Sequence, residues 1–105
     1  MATLYISEYA QLGSAPSTAG ANHTPAQAPL ELPLAEYTVP ITGSSTSSPQ
    51  FNANTRAVRL HTDTICSVAF GTAPIASTTN KRLAQNQTEY FSVQTGQAVA
   101  VIVNV

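Results

Sequence analysis

Short runs in which apolar and polar residues alternate, broken by Gly, Pro, Ser, Asn and Asp, set the pattern of this chain. Thr3-Leu4-Tyr5-Ile6-Ser7-Glu8-Tyr9 is β-branched and aromatic and suits a pleated surface. Leu34 to Thr42 reads as a second strand, with Pro40 confining its end to a sheet edge or a bulge. Gly43 to Pro49 reads as an exposed loop. Thr55 to Thr62 puts Val58 and Leu60 inward and Ala57, Arg59 and His61 outward. A turn at Thr62-Asp63-Thr64 leads to Ile65–Phe70 and predicts a hairpin, which Gly71-Thr72-Ala73-Pro74 ends. Residues 75–88 are polar and irregular, with one helical turn expected near Lys81 to Ala84. Glu89 to Gln94 places Phe91 and Val93 on one face. Thr95-Gly96 then turns the chain into Gln97–Val103, whose unbroken Ala/Val/Ile run predicts burial on both faces. No segment holds three turns of helical apolar period. The pattern predicts an all-β fold, a small antiparallel β-sandwich of about six to eight strands.

Ahead of this region lies a stretch of a different kind. Gly13 to Pro33 reads GSAPSTAGANHTPAQAPLELP, with neither helical nor strand period. Its proline and small residues predict an extended, polyproline-like arm. The chain thus divides into an N-terminal strand (1–12), a Pro/Ala-rich arm (13–33) and a β-sandwich domain (34–105). Such an arm has few side-chain rotamers to freeze, so laying it across a neighbouring protein costs little entropy.

Composition sharpens this picture. Charged residues make up 9 % of the 105 positions, against about a quarter in ordinary soluble domains. Ser, Thr, Asn and Gln stand where Lys, Glu and Arg usually do. The apolar share is rich in Ala and Val, and Trp is absent. A core that thin gains from burial against other protein. The net charge is −1, and the basic residues form two isolated pairs, Arg56/Arg59 and Lys81/Arg82. They cannot neutralise a run of phosphates, which argues against nucleic acid as a partner. The longest apolar run, Ala98–Val103, is too short to span a bilayer, so no membrane association is expected. Met1-Ala2-Thr3-Leu4 has no basic segment leading into an apolar one, so synthesis in a cytoplasm without a signal peptide is expected. Cys66 stands alone, excluding an intrachain disulfide, and its apolar run predicts a small core residue.

Candidate chemistry is sparse. His61 and Asp63, two apart on a strand, share a face and could reach one ion, but a metal site needs further ligands. His23, Glu8, Glu31, Glu36 and Glu89 are scattered and form no second cluster. Asp63 is better read as the side-chain cap of a turn and His61 as a surface strand residue. No serine sits in a G-x-S-x-G elbow, and no phosphate-binding glycine loop is present. Asn22-His23-Thr24 and Asn86-Gln87-Thr88 fit the glycosylation pattern by chance in so Asn- and Thr-rich a chain. No catalytic residue, cofactor or metal is expected, and the chain is not read as an enzyme.

Two stretches of the C-terminal half carry a resemblance. They are Asn54-Thr55-Arg56-Ala57-Val58-Arg59-Leu60-His61-Thr62-Asp63 with Cys66-Ser67-Val68-Ala69-Phe70-Gly71, and Glu89-Tyr90-Phe91-Ser92-Val93 with Gly96-Gln97-Ala98-Val99-Ala100-Val101-Ile102. Together with the arm, they resemble the small structural proteins of tailed-bacteriophage virions, in particular the decoration or cement proteins that clamp the outside of capsids. The resemblance covers about half the chain. It implies a jelly-roll-like sandwich, a place on the capsid exterior, major capsid protein as partner, copies of itself as dimer or trimer, and no enzymatic residues. Contact with the partner is expected through Leu4, Tyr5, Ile6, Leu30, Leu32 and Leu34 and through backbone hydrogen bonds along the arm. The competing reading is a small ligand- or glycan-binding β-domain of cupin- or lectin-like shape, with Tyr37, Tyr90, His61 and Asp63 lining a pocket.

Overall fold

A computed structural model describes residues 2–10, 12–16, 23–29 and 32–104. These residues form strands, turns and loops, with no helix among them. The strands are β1 (Thr3–Tyr9), β2 (Leu12–Pro16), β3 (His23–Pro29), β4 (Ala35–Pro40), β5 (Thr46–Ser47), β6 (Ala57–Thr62), β7 (Cys66–Gly71), β8 (Lys81–Leu83), β9 (Thr88–Ser92) and β10 (Ala98–Val103). Two antiparallel sheets of four strands each run in the orders β4-β1-β6-β9 and β5-β10-β7-β8, and β2 pairs with β3 alone.

Alternation explains the core. Leu4 and Ile6 of β1, Val39 of β4, and Val58 and Leu60 of β6 point from the first sheet into one apolar cluster. Cys66 and Val68 of β7, Leu83 of β8, and Val99 and Val101 of β10 meet them from the second. Phe70 and Phe91 bridge the two sheets as a tilted pair, ring centroids 5.0 Å apart at 49°, within the range of favourable aromatic contacts. β6 shows the expected in–out alternation, and Ala98–Val101 of β10 are buried on both faces as their sequence predicts.

The outer face of the second sheet is partly covered by the chain's own loop. Asn104 Nδ2 donates to Ser67 Oγ (2.7 Å) and to the Thr78 carbonyl (3.1 Å), and Ala76 N donates to Ser45 Oγ (2.8 Å). These bonds hold the segment after β7 against the sheet. Ser67 and Ala100, which face outward there, are small and fully buried. The outer face of the first sheet carries larger and more polar side chains.

Several expectations are corrected. Thr62-Asp63-Thr64 does not close a hairpin: β6 has β1 on one edge and β9 on the other, so β7 crosses to the second sheet. Thr62, not Asp63, caps that turn, its hydroxyl donating to Thr64 O (2.5 Å) and accepting from Thr64 N (3.2 Å). The Thr95-Gly96 turn likewise passes between sheets, with Gly96 at φ 85°, a conformation glycine adopts without strain. Lys81–Leu83 is a strand rather than a helical turn, because Leu83 anchors it beside Cys66. The 43–49 loop contains β5, and its Ser48 is buried. β1 is not an outlying segment but a central strand, bonded along both edges.

The arm also differs from a lone extended chain. β2 and β3 pair antiparallel from Leu12↔Pro29 to Pro16↔His23, with a register shift between Leu12 and Ser14. Since Glu8↔Ala35 is the last pair of β1 with β4, the ribbon prolongs that pairing outward. Among the described residues, neither ribbon strand makes more than slight contact with the strands of the two sheets. The molecule is correspondingly long, 53 × 27 × 22 Å.

Candidate functional site

Two places hold the chain's unusual chemistry: the root of the ribbon and the open face beside it. At the root, alternation from Leu4 and Ile6 carries Glu8 inward, where it is 2 % exposed. Burying a carboxylate is costly unless donors replace its water. Three do so: Tyr37 Oη donates to Oε2 (2.5 Å), while Asn52 N (2.7 Å) and Thr55 Oγ1 (2.6 Å) donate to Oε1. The Glu8 carbonyl also accepts Leu34 N at 2.6 Å, where the returning chain rejoins the sheet. One residue therefore ties β1, β4 and the loop before β6 together. Burial, and after it the carboxylate beside the phenol, pushes the Tyr37 proton affinity well above the ordinary phenolic value.

The open face is built by pairing register. Thr38, Tyr5, His61 and Thr88 form one row across β4, β1, β6 and β9, and Glu36, Ser7, Arg59 and Tyr90 form the next. A groove of about 700 Å³ lies here, lined by residues that include Tyr5, Ser7, Glu36, Arg59, His61 and Asp63. Its side chains are held by neighbours. His61 Nδ1 lies 2.8 Å from Thr88 Oγ1, its ring is tilted 50° to Tyr5 at 6.1 Å, and Ser7 Oγ donates to Glu36 Oε2 at 3.3 Å. Asp63 Oδ1 accepts the Thr3 amide at 2.8 Å, so it fastens the start of β1 in place of the turn-capping job expected of it.

The expected contact residues separate into groups. Leu4 and Ile6 are 0 % and 1 % exposed and belong to the core, so they are withdrawn as contact residues. Tyr5, Leu32 and Leu34 are exposed, and Leu30 lies outside the described residues. Of the four residues assigned to a ligand pocket, Tyr37, His61 and Asp63 line the groove, Tyr37 with its phenol donating to Glu8, whereas Tyr90 is paired beside Arg59 and is not among the lining residues. Among the described residues no group of three or more His, Cys, Asp or Glu converges on one point that could hold a metal. Cys66 is fully buried, its thiol donating toward Thr62 Oγ1 at 3.5 Å, and burial pushes its pKa up, away from the thiolate a nucleophile needs. Sequence reading missed Glu8, although the Leu4–Ile6–Glu8 spacing was the signal. No family model, curated protein or solved structure matches the chain.

Proposed function

We propose that this chain is a structural virion protein that binds the outer surface of a capsid and bridges major capsid protein subunits, acting in multiple copies. The observation that carries this reading is the ribbon: a two-stranded sheet apart from the two larger ones, rooted by the Glu8 hydrogen bonds. A two-stranded hairpin is marginal in water by itself, and this one is interrupted by Pro16, Pro25 and Pro29. Unpaired ribbon edges gain most by strand addition to a neighbour, which needs no charged side chains. Leu32 and Leu34, exposed at the base of the ribbon, supply apolar area beside it.

Strand order supports the jelly-roll form of the sandwich. Counting β4 to β10 as the first seven strands and β1 as the eighth, first pairs with eighth, second with seventh, third with sixth, and fourth with fifth. That is one long antiparallel ribbon rolled into two sheets, the architecture common among capsid proteins. The displaced strand explains the ribbon, since the new β1-to-β4 connection is where it is inserted.

Quantitative mass spectrometry of gradient-purified virions tests the proposal. A capsid-bridging protein is present on the order of hundreds of copies per particle, as lattice symmetry demands. Its absence, or a handful of copies, overturns the reading.

A further inference from the structure

We infer that the open face of the β4-β1-β6-β9 sheet binds carbohydrate, specifically a neutral oligosaccharide. The second sheet covers part of its outer face with its own loop, whereas this one leaves a groove of about 700 Å³, within the usual range for small-ligand sites. Two tyrosines flank it, Tyr5 on β1 and Tyr90 on β9, 46 % and 54 % exposed. With β6 between them they stand two strand spacings and two residues apart on the sheet, about 12 Å along the diagonal, a span within reach of two or three linked pyranose rings. An exposed tyrosine offers an apolar ring at little entropic cost and a hydroxyl at its rim. The axial C–H groups of a pyranose pack on such a ring.

The polar groups that line the groove suit sugar hydroxyls, each of which donates and accepts. Arg59 supplies a planar fork of donors, Glu36 and Asp63 supply acceptors, and His61 supplies a ring nitrogen. One guanidinium against two carboxylates leaves no positive field to hold a sulfated or phosphorylated chain. Ser7, Thr88 and the Thr3 amide hold Glu36, His61 and Asp63 in place. A rigid sheet so supported loses little freedom on binding. This inference does not rest on the capsid reading, because the groove lies on the body and not on the ribbon.

The test is titration of the isotope-labelled full-length chain with maltotetraose, cellotetraose, mannotetraose, galactotetraose and chitotetraose, followed by amide chemical shifts. At least one sugar should shift the amides of Tyr5, Ser7, Arg59 and His61 and leave those around Ile75 unmoved. Tyr5→Ala and Tyr90→Ala should each weaken that binding by about tenfold, the loss of roughly one aromatic contact, while each variant still melts cooperatively, because both side chains lie on the surface and outside the core. Ile75→Ala, distant from the groove, should bind as the parent does. Failure of all five sugars to move these amides overturns the inference. So does stronger binding of a heparin hexasaccharide than of any neutral sugar, or a Tyr5→Ala/Tyr90→Ala double variant that binds normally.

Discussion

The Thr55 hydroxyl donates to the Glu8 carboxylate at 2.6 Å in the core of this protein, and both side chains are hidden from water. With Tyr37 and the Asn52 amide, Thr55 replaces the water that a surface glutamate would keep. The arrangement fixes the inner end of the ribbon by hydrogen bonds to one residue, beside the buried ring of Tyr9.

Glu8→Ala strands three donors and should destabilise the fold by about 3 kcal/mol or more, at roughly 1–3 kcal/mol for each unmet buried group. Glu8→Gln keeps an acceptor for Thr55 and Asn52 and should cost about half as much. Chemical denaturation of the three chains measures this. Equal stability of wild type and Glu8→Ala would mean that water reaches the donors and the site is not closed.

The Tyr37 phenol gives a pH dependence of definite sign. Its proton is held more tightly in the folded chain than at the ordinary phenolic value of 10.0. The stabilisation is therefore fully present below pH 10.0 and is lost as pH rises above it, because the unfolded chain ionises first. Melting temperature should fall above that point, and Tyr37→Phe should flatten the fall while lowering stability at neutral pH. A Tyr37→Phe chain with the same alkaline slope would assign the effect to other groups.

Replacing residues 13–33 by a short glycine turn should leave the two sheets folded, since among the described residues neither ribbon strand makes more than slight contact with their strands. Circular dichroism and a cooperative melt within a few degrees of the parent would verify it, while capsid binding should be lost. A truncated chain that cannot fold would make the ribbon part of the folding unit.

Capsid association should depend little on salt. Of the basic residues, Arg56 donates to the carbonyls of Ala53 and Thr55 in its own loop, and Lys81 lies over the Phe91 ring at 4.9 Å. Few charges remain for an interface. Raising NaCl from about 0.1 to 1 M, which cuts the Debye length from roughly 10 to 3 Å, should change affinity by less than about threefold. A tenfold loss in a sedimentation assay would point to Arg59 or Arg82 as an ionic anchor.

Local pattern was legible in the chain, and pairing was not. The alternation of β6 and the uniform apolarity of β10 stated their burial correctly, because one face or two faces of a strand leave different residue periods. Thr62-Asp63-Thr64 reads alike whether the next strand folds back or crosses to another sheet. The partners on both edges of β6 decide it, and they lie far away in sequence. β8 hid because a single apolar residue, Leu83, secures it. Glu8 was overlooked because its type argued for the surface while its spacing from Leu4 and Ile6 argued for the core. Of the open face, Tyr37, His61 and Asp63 are named from the sequence as pocket residues, whereas Tyr5, Ser7, Glu36 and Arg59 are not, since the rows that bring them together draw on strands as distant as β1 and β9.

The central position of β1 has a mechanical consequence. A pull on the ribbon tip reaches the body through β1 and β4 together, and β4 is bonded in its sheet to β1 alone. The load therefore falls on the β1–β6 ladder from Leu4↔Thr62 to Tyr9↔Ala57, along the strands rather than across them. Shear of that kind strains every rung at once, whereas a tear from one end opens rungs singly. A subunit holding down a pressurised shell by this ribbon would resist detachment as a glued lap joint does, failing along its whole length or not at all.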